Sequence, residues 1–298
     1  MKTSAAIDEF IAGRASWTNE QPAHHRYIVT LFGLFGRPAG KPIPVAAIVS
    51  LLAELDSEPS SVRSSISRLK KKGVLVSQKT AAGSSYALLK DLEPHMQAGD
   101  VRIFTPQTAS IGDPWLLVSF SVPESERKNR NTIRTGLSRM GFGVVTAGLY
   151  IGPSRLKAEV SAYIREHDLW SYVDLFVCEA SGHMDLENKV AQWWNLDAIA
   201  QEYQNFINLY QPEVKKWQSR LRQESGSAQE AFKLYIPMMT QWRRLPYLDP
   251  GLPAELLPNN WAGITARKVF NDLHRLLKGL TEQHIADVIE NYYPAQSL

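Results

Sequence analysis

Apolar residues recur at steps of three and four in several stretches of the chain, and the first clear stretch follows Pro44. Val45, Ile48, Val49, Leu52 and Leu55 fall on one side of a helix. A short polar turn, Asp56, Ser57 and Glu58, then leads to Pro59, whose missing N–H is no loss in a first helical turn. The spacing predicts a second helix from near Pro59, with Val62, Ile66 and Leu69 turned inward and Gly73 ending it in the left-handed conformation. Upstream, His24 and His25 open the first helix. Downstream, VLVSQ and SYALL flank the turn-rich KTAAGS and read as two strands around a glycine-containing tip. Helix, turn, helix and hairpin make a winged helix-turn-helix.

The pattern changes near residue 100. WLLVSFSVPE reads as a strand, SERKNRNTIRTGLSRMGF as a helix with Ile133, Leu137 and Met140 on one face, and GVVTAGLYIGP as one further strand. LKAEVSAYIREH and YVDLFVCEA then supply another helix and strand, so the simplest arrangement is a ferredoxin-like α+β sandwich. After Gly182 the chain turns helical. Leu196, Ile199, Tyr203, Phe206 and Tyr210 mark one amphipathic helix that Pro212 should break. A helical block from Ala228 to Arg244 follows, then the proline-punctuated loop LPYLDPGLPAELLPNNW. A last helix carries Val269, Phe270, Leu273, Leu276 and Leu277. The expected organisation is a winged head over residues 1–98, a ferredoxin-like middle domain over 99–184 and a helical C-terminal domain over 185–298.

Charge adds function to this outline. The outer face of the helix after Pro59 carries Ser60, Arg63, Ser64, Ser67, Arg68 and Lys71, with Lys72 beside it and Lys79 on the hairpin. Short hydroxyls and long cations suit close approach to phosphates and base edges in a major groove. Six basic residues and no acidic one lie between Arg63 and Lys79. An ordinary solvated helix face also carries charge; the conjunction of helix spacing, turn, wing and a single sign favours double-stranded DNA as partner. Residues 1–90 hold twelve Lys/Arg against six Asp/Glu and the remainder 21 against 24, so the positive field belongs to the head.

Other chemistry finds little support. Cys178, the one cysteine, sits in an apolar run, where a buried inert thiol is the simplest reading and an intrachain disulfide is impossible. No apolar run approaches a membrane span, and MKTSAAIDEF lacks a signal-peptide core, so a cytoplasmic protein is expected. His24, His25, His95, His167, His183, His274 and His284 show no metal-ligand spacing. No glycine-rich phosphate loop with a lysine is present, and no serine has a nucleophile context. Asp249, in its proline-bounded loop, suits turn bonding. Neither an enzyme nor a cofactor is expected.

Three separated blocks, SLLAELDSEPSSVRSSISRLKKKGVL with SSYAL, WLLVSF through GFGVVTAGLYIGP, and WRRLPYLDPGLPAELLPNNWAG, together resemble the PaaX-type regulators of phenylacetate catabolism. The third block, with its proline and tryptophan spacing, is the most specific. The resemblance implies a homodimeric transcriptional repressor with a winged head, a Cas2-like ferredoxin domain and a helical C-terminal domain. It also implies an inverted-repeat operator released by an aryl-acyl-CoA thioester such as phenylacetyl-CoA, with Arg63 and Arg68 as reading positions. A coenzyme A site needs cations beside an apolar slot, and Trp242, Arg243 and Arg244 cluster those types, although internal ion pairing of the two arginines is the plainer reading. Two other classes stay in view. One is an architectural DNA-binding protein that senses nothing. The other is a Cas2-like metal-dependent nuclease, which would need a carboxylate near the end of the first middle-domain strand. Ser119 and Ser121 stand there and Glu124 comes late.

Overall fold

A computed structural model describes residues 23–180, 185–223 and 226–293. MKTSAAIDEF, Gly182 and His183 lie outside the described residues. The architecture is α+β. The head opens with α1 (Ala23–Leu31), which includes His24 and His25, and continues through a π-turn to the two-residue strand β1 (Ile43–Pro44). Then come α2 (Val45–Ala53), α3 (Pro59–Lys71), and the hairpin β2 (Leu75–Thr80) and β3 (Gly83–Leu88). The sheet order is β1-β3-β2, antiparallel throughout.

Burial in the head follows the periodicity with one adjustment. In α2 the fully buried positions are Ala47, Ile48, Leu51 and Leu52; the helix ends at Ala53, so Leu55 belongs to the turn. In α3 Val62, Ile66 and Leu69 are buried as the spacing required. Pro59 is the first helical residue, and Gly73 takes φ +74° just past the end. The Val74 N–H donates to the Leu69 carbonyl and the Gly73 N–H to the Lys70 carbonyl, both at 3.0 Å, so the helix closes in a Schellman motif.

After α4 (Glu93–Phe104) the middle region runs β4 (Trp115–Phe120), α5 (Arg127–Arg139), β5 (Gly143–Thr146), β6 (Leu149–Pro153), α6 (Lys157–Glu166) and β7 (Val173–Cys178). The antiparallel sheet has order β5-β6-β4-β7, the ferredoxin-like β-α-β-β-α-β pattern. The single strand expected over GVVTAGLYIGP is instead the hairpin β5–β6. Gly148 turns the chain at φ +82°, where a Cβ would meet the Phe120 carbonyl oxygen at 2.8 Å. Leu116, Val118, Ile133, Leu137, Met140, Val160 and Ile164 fill the core between sheet and helices. Cys178 ends the edge strand half-buried, more open than the enclosed thiol its apolar run suggested.

The remainder is helical: α7 (Leu186–Trp193), α8 (Leu196–Arg222), α9 (Ala228–Trp242) and α10 (Ala262–Glu290). Pro212 does not break α8. Buried Tyr203, Phe206, Ile207 and Tyr210 precede it and buried Trp217 follows, so packing holds the helix across a lost backbone donor. The loop before α10 contains an α-helical turn, Leu245–Leu248, and a 3-10 turn, Ala254–Leu256.

The chain divides into two compact units, which are not consecutive segments. The first unites the head up to Asp100 with Phe206–Arg243 and the chain from Ala266 onward. The second holds Val101–Asn205 and Arg244–Thr265. The helical third of the sequence is therefore shared between them. In the first unit the Thr30 and Thr240 hydroxyls hydrogen-bond at 2.7 Å, Phe35 meets Tyr235 edge-on, and His284 Nε2 lies 2.9 Å from a carboxylate oxygen of Glu54 at the end of α2. In the second, Asp249 accepts from the Tyr203 hydroxyl and the Gly251 N–H, so its side chain does bond the turn.

The Schellman ending gives a test. A Cβ on residue 73 would meet nothing within 4 Å. Gly73→Ala should therefore cost only the left-handed backbone penalty, about 1 kcal/mol, read from the urea midpoint; an unshifted midpoint would show that the glycine conformation does not matter there.

Candidate nucleic-acid interface

The inward stripe of α3 dictates what its other side presents. With Val62, Ile66 and Leu69 committed to the head's core, Ser60, Arg63, Ser64, Ser67, Arg68, Lys70, Lys71 and Lys72 are all exposed. The Arg68 Nε donates to the Ser64 carbonyl at 3.4 Å, which lays that side chain along the helix surface. His24 of α1 has its pKa lowered, first by burial and then by the Arg68 charge, so it adds no cation beside the face at neutral pH.

The wing adds a second exposed surface. A two-residue turn, Ala81–Ala82, joins β2 to β3, and Gly83 takes φ +89°. Lys79 stands opposite Ser84, both exposed, with Ser77 and Gln78 exposed on the same strand. Thr80 and the buried Ser85 join hydroxyls at 2.8 Å beneath them. Lys79 is the one cation on the two strands of this hairpin, and Gln78 and Ser84 beside it are uncharged polar residues. All eight residues assigned to DNA are thus exposed on α3 and the hairpin of one winged head.

Trp242, Arg243 and Arg244 are placed differently. Trp242 is fully enclosed, its ring stacked on Phe270 with centroids 4.4 Å apart and 9° between planes, close to Phe206 and under the Arg267 guanidinium. Arg243 is buried and Arg244 half-buried; the division between the compact units falls between them. Nearby, burial pushes the Tyr235 phenol far up and holds His274 below its ordinary value, with the Lys278 charge adding to the latter. The Tyr235 hydroxyl and His274 Nδ1 share a hydrogen bond of 2.8 Å.

In the middle domain Ser119 lies within β4, and exposed Glu124 is engaged with the Arg130 guanidinium at 2.8 Å. Among the described residues no group of three or more His, Cys, Asp or Glu could hold a metal ion, and no helix is long and apolar enough to cross a membrane.

Three models of one family match the chain in succession. The PaaX-like protein model covers residues 24–92, the PaaX protein central Cas2-like domain 108–190, and the PaaX-like protein C-terminal domain 194–287. The chain belongs to the PaaX family. This PaaX-family chain is similar to the transcriptional repressor PaaX of Escherichia coli (strain K12), 26% identical over 254 residues that span 83% of the chain and 78% of that protein. Its fold also resembles an uncharacterized protein of Mycobacterium tuberculosis at a TM-score of 0.55 and 18% identity, covering 91% of this chain and 99% of the other.

Two measurements test the PaaX-family chain's aromatic centre. Trp242→Ala should cost about 3–5 kcal/mol in chemical denaturation, and Trp242→Phe much less. A lowered histidine pKa means that the unfolded chain binds the proton more readily. The stability from neutral His274 is therefore complete above pH 6.5 and lost as pH falls below it toward the depressed folded value. The thermal midpoint should fall over that window, and less so in His274→Asn.

Proposed function

We propose that this protein is a DNA-binding transcriptional repressor of aromatic-acid catabolic genes of the phenylacetate type. It binds an inverted-repeat operator as a homodimer, and an aryl-acyl-CoA thioester such as phenylacetyl-CoA releases it. The observation that carries the DNA reading is the outward face of α3, where exposed Arg63, Arg68, Lys70, Lys71 and Lys72 stand among exposed serines on a helix without one acidic residue. α3 would enter the major groove, with Arg63 and Arg68 at base edges, Lys71 and Lys72 on phosphates, and Lys79 on the backbone beside the wing. Family membership and the similarity to the E. coli repressor support the regulatory role.

The effector reading rests on the family and on the residue types of Trp242, Arg243 and Arg244, the Trp242 ring being stacked on Phe270 with the Arg267 guanidinium over it. Release follows if the thioester binds the DNA-free state more tightly, since a ligand shifts an equilibrium only by its differential affinity.

The test is fluorescence anisotropy on DNA from the protein's own promoter region at fixed salt, titrated with phenylacetyl-CoA, phenylacetate and coenzyme A. Release by phenylacetyl-CoA alone is expected; tight binding unmoved by all three would sink the sensing claim and leave an architectural role. Arg63→Ala should cost roughly 1 to 3 kcal/mol of specific binding per protomer, whereas Lys71→Ala should weaken all sequences alike and lower the salt slope by about 1 per protomer. Specific binding left intact by Arg63→Ala would refute the placement of α3 in the groove.

A further inference from the structure

Helix α5 of the middle domain presents an outward face with the same chemistry as α3. Each helix has thirteen residues and no acidic one. Ile133, Gly136 and Leu137 of α5 are buried, and Gly136 has no room for a Cβ, which would meet the Tyr163 ring at 2.3 Å. The rotation of α5 is thereby fixed by packing. Arg127, Lys128, Asn131, Arg134, Thr135 and Ser138 are all exposed, at steps of one, three, three, one and three, which is a single stripe along the helix.

Every group on that stripe can donate a hydrogen bond. The nearby acids are engaged elsewhere: Glu124 pairs with Arg130, and Glu126 accepts from the Tyr172 hydroxyl and the Asn129 amide. The exposed faces of α8 and α10 mix signs. On α10, Lys268 and Arg275 share Asp272, and on α8 Lys216 pairs with Glu213. Five cations fall in the thirteen residues of α5, within a stretch, 91–298, that is net acidic at 21 against 24. Arg127 and Arg134, seven residues apart, are separated by roughly 10 Å along the axis, about three phosphate steps of one DNA strand.

We propose that this face of α5 is a second duplex-DNA contact, one that grips the phosphate backbone without reading sequence. It rests on the DNA-binding reading above. Arg127, Lys128 and Arg134 supply the charge, while Asn131, Thr135 and Ser138 are short donors that allow close approach. The contact lengthens the stretch of DNA the protein holds beyond the bases read by the head.

The experiment compares the full chain with R127Q/K128Q/R134Q on a long operator duplex and on a random duplex of the same length, across a salt series. The triple variant should lose roughly tenfold or more in affinity at low salt on both duplexes, keep the ratio between them, and lower the salt slope by about 2 to 3 per protomer. Arg134→Gln alone should take about a third of the slope change, and a control removing three exposed lysines elsewhere, K189Q/K215Q/K233Q, should take little. An unchanged slope, or an equal loss in the control, overturns the proposal. So does weakened binding confined to the operator, which would make α5 a sequence reader. Wild-type binding that Arg63→Ala abolishes while the triple variant matches wild type sinks the α5 contact alone. A wild-type chain that binds neither duplex sinks both readings.

Discussion

The stack of Trp242 on Phe270, flanked by Phe206, is the contact on which the first compact unit depends. It joins the end of α9 to α10 and to the middle of α8, three segments far apart in the chain. An indole and a phenyl face in offset stacking bury large apolar area with little rotamer freedom to lose, and the Arg267 guanidinium lies 5.0 Å from the centroid of the indole. Once these helices are fixed, the head has a surface to close on. Thr240 meets Thr30, Tyr235 meets Phe35, and His284 meets Glu54 at the end of α2.

That closure changes how a DNA-binding head should be viewed. The winged motif carries its own inward stripe and its own sheet, yet it folds in one compact unit with residues from α8, α9 and α10. The aromatic centre is linked to the head through His274 and Tyr235 to Phe35 on one side, and through α10 to His284 and Glu54 at the end of α2 on the other. Buried polar pairs of this kind have demanding geometry, because separating either partner leaves a desolvated group unsatisfied.

The exposed chemistry of α3 and α5 follows from what packing leaves over. On α3 the apolar stripe is spent on the head's core, and the residues left outside are cations and hydroxyls. On α5 the same division holds, with Ile133, Gly136 and Leu137 inside and Arg127, Lys128 and Arg134 outside. Thirteen residues suffice for one buried face and one presented face, and the absence of acids leaves each presented face with one sign.

The sequence by itself determined the winged head almost completely. Its signals are local: the 3.6-residue stripe of Val62, Ile66 and Leu69, the proline that may begin a helix, and the glycine that may end one act within a few residues. The alternation over GVVTAGLYIGP showed strand but hid the hairpin, because a Gly at a turn and a Gly within a strand look alike until the partner strand is known. Pro212 misled for a related reason: its cost is local, and the buried rings that outweigh it come from the helix's whole length. Only the tertiary structure decided that Trp242 and Arg243 lie inside, that the helical third is divided between two units, and that Glu54 meets His284 across 230 residues. Those outcomes depend on which apolar faces find one another, and pairing between distant faces leaves no periodic trace in the chain.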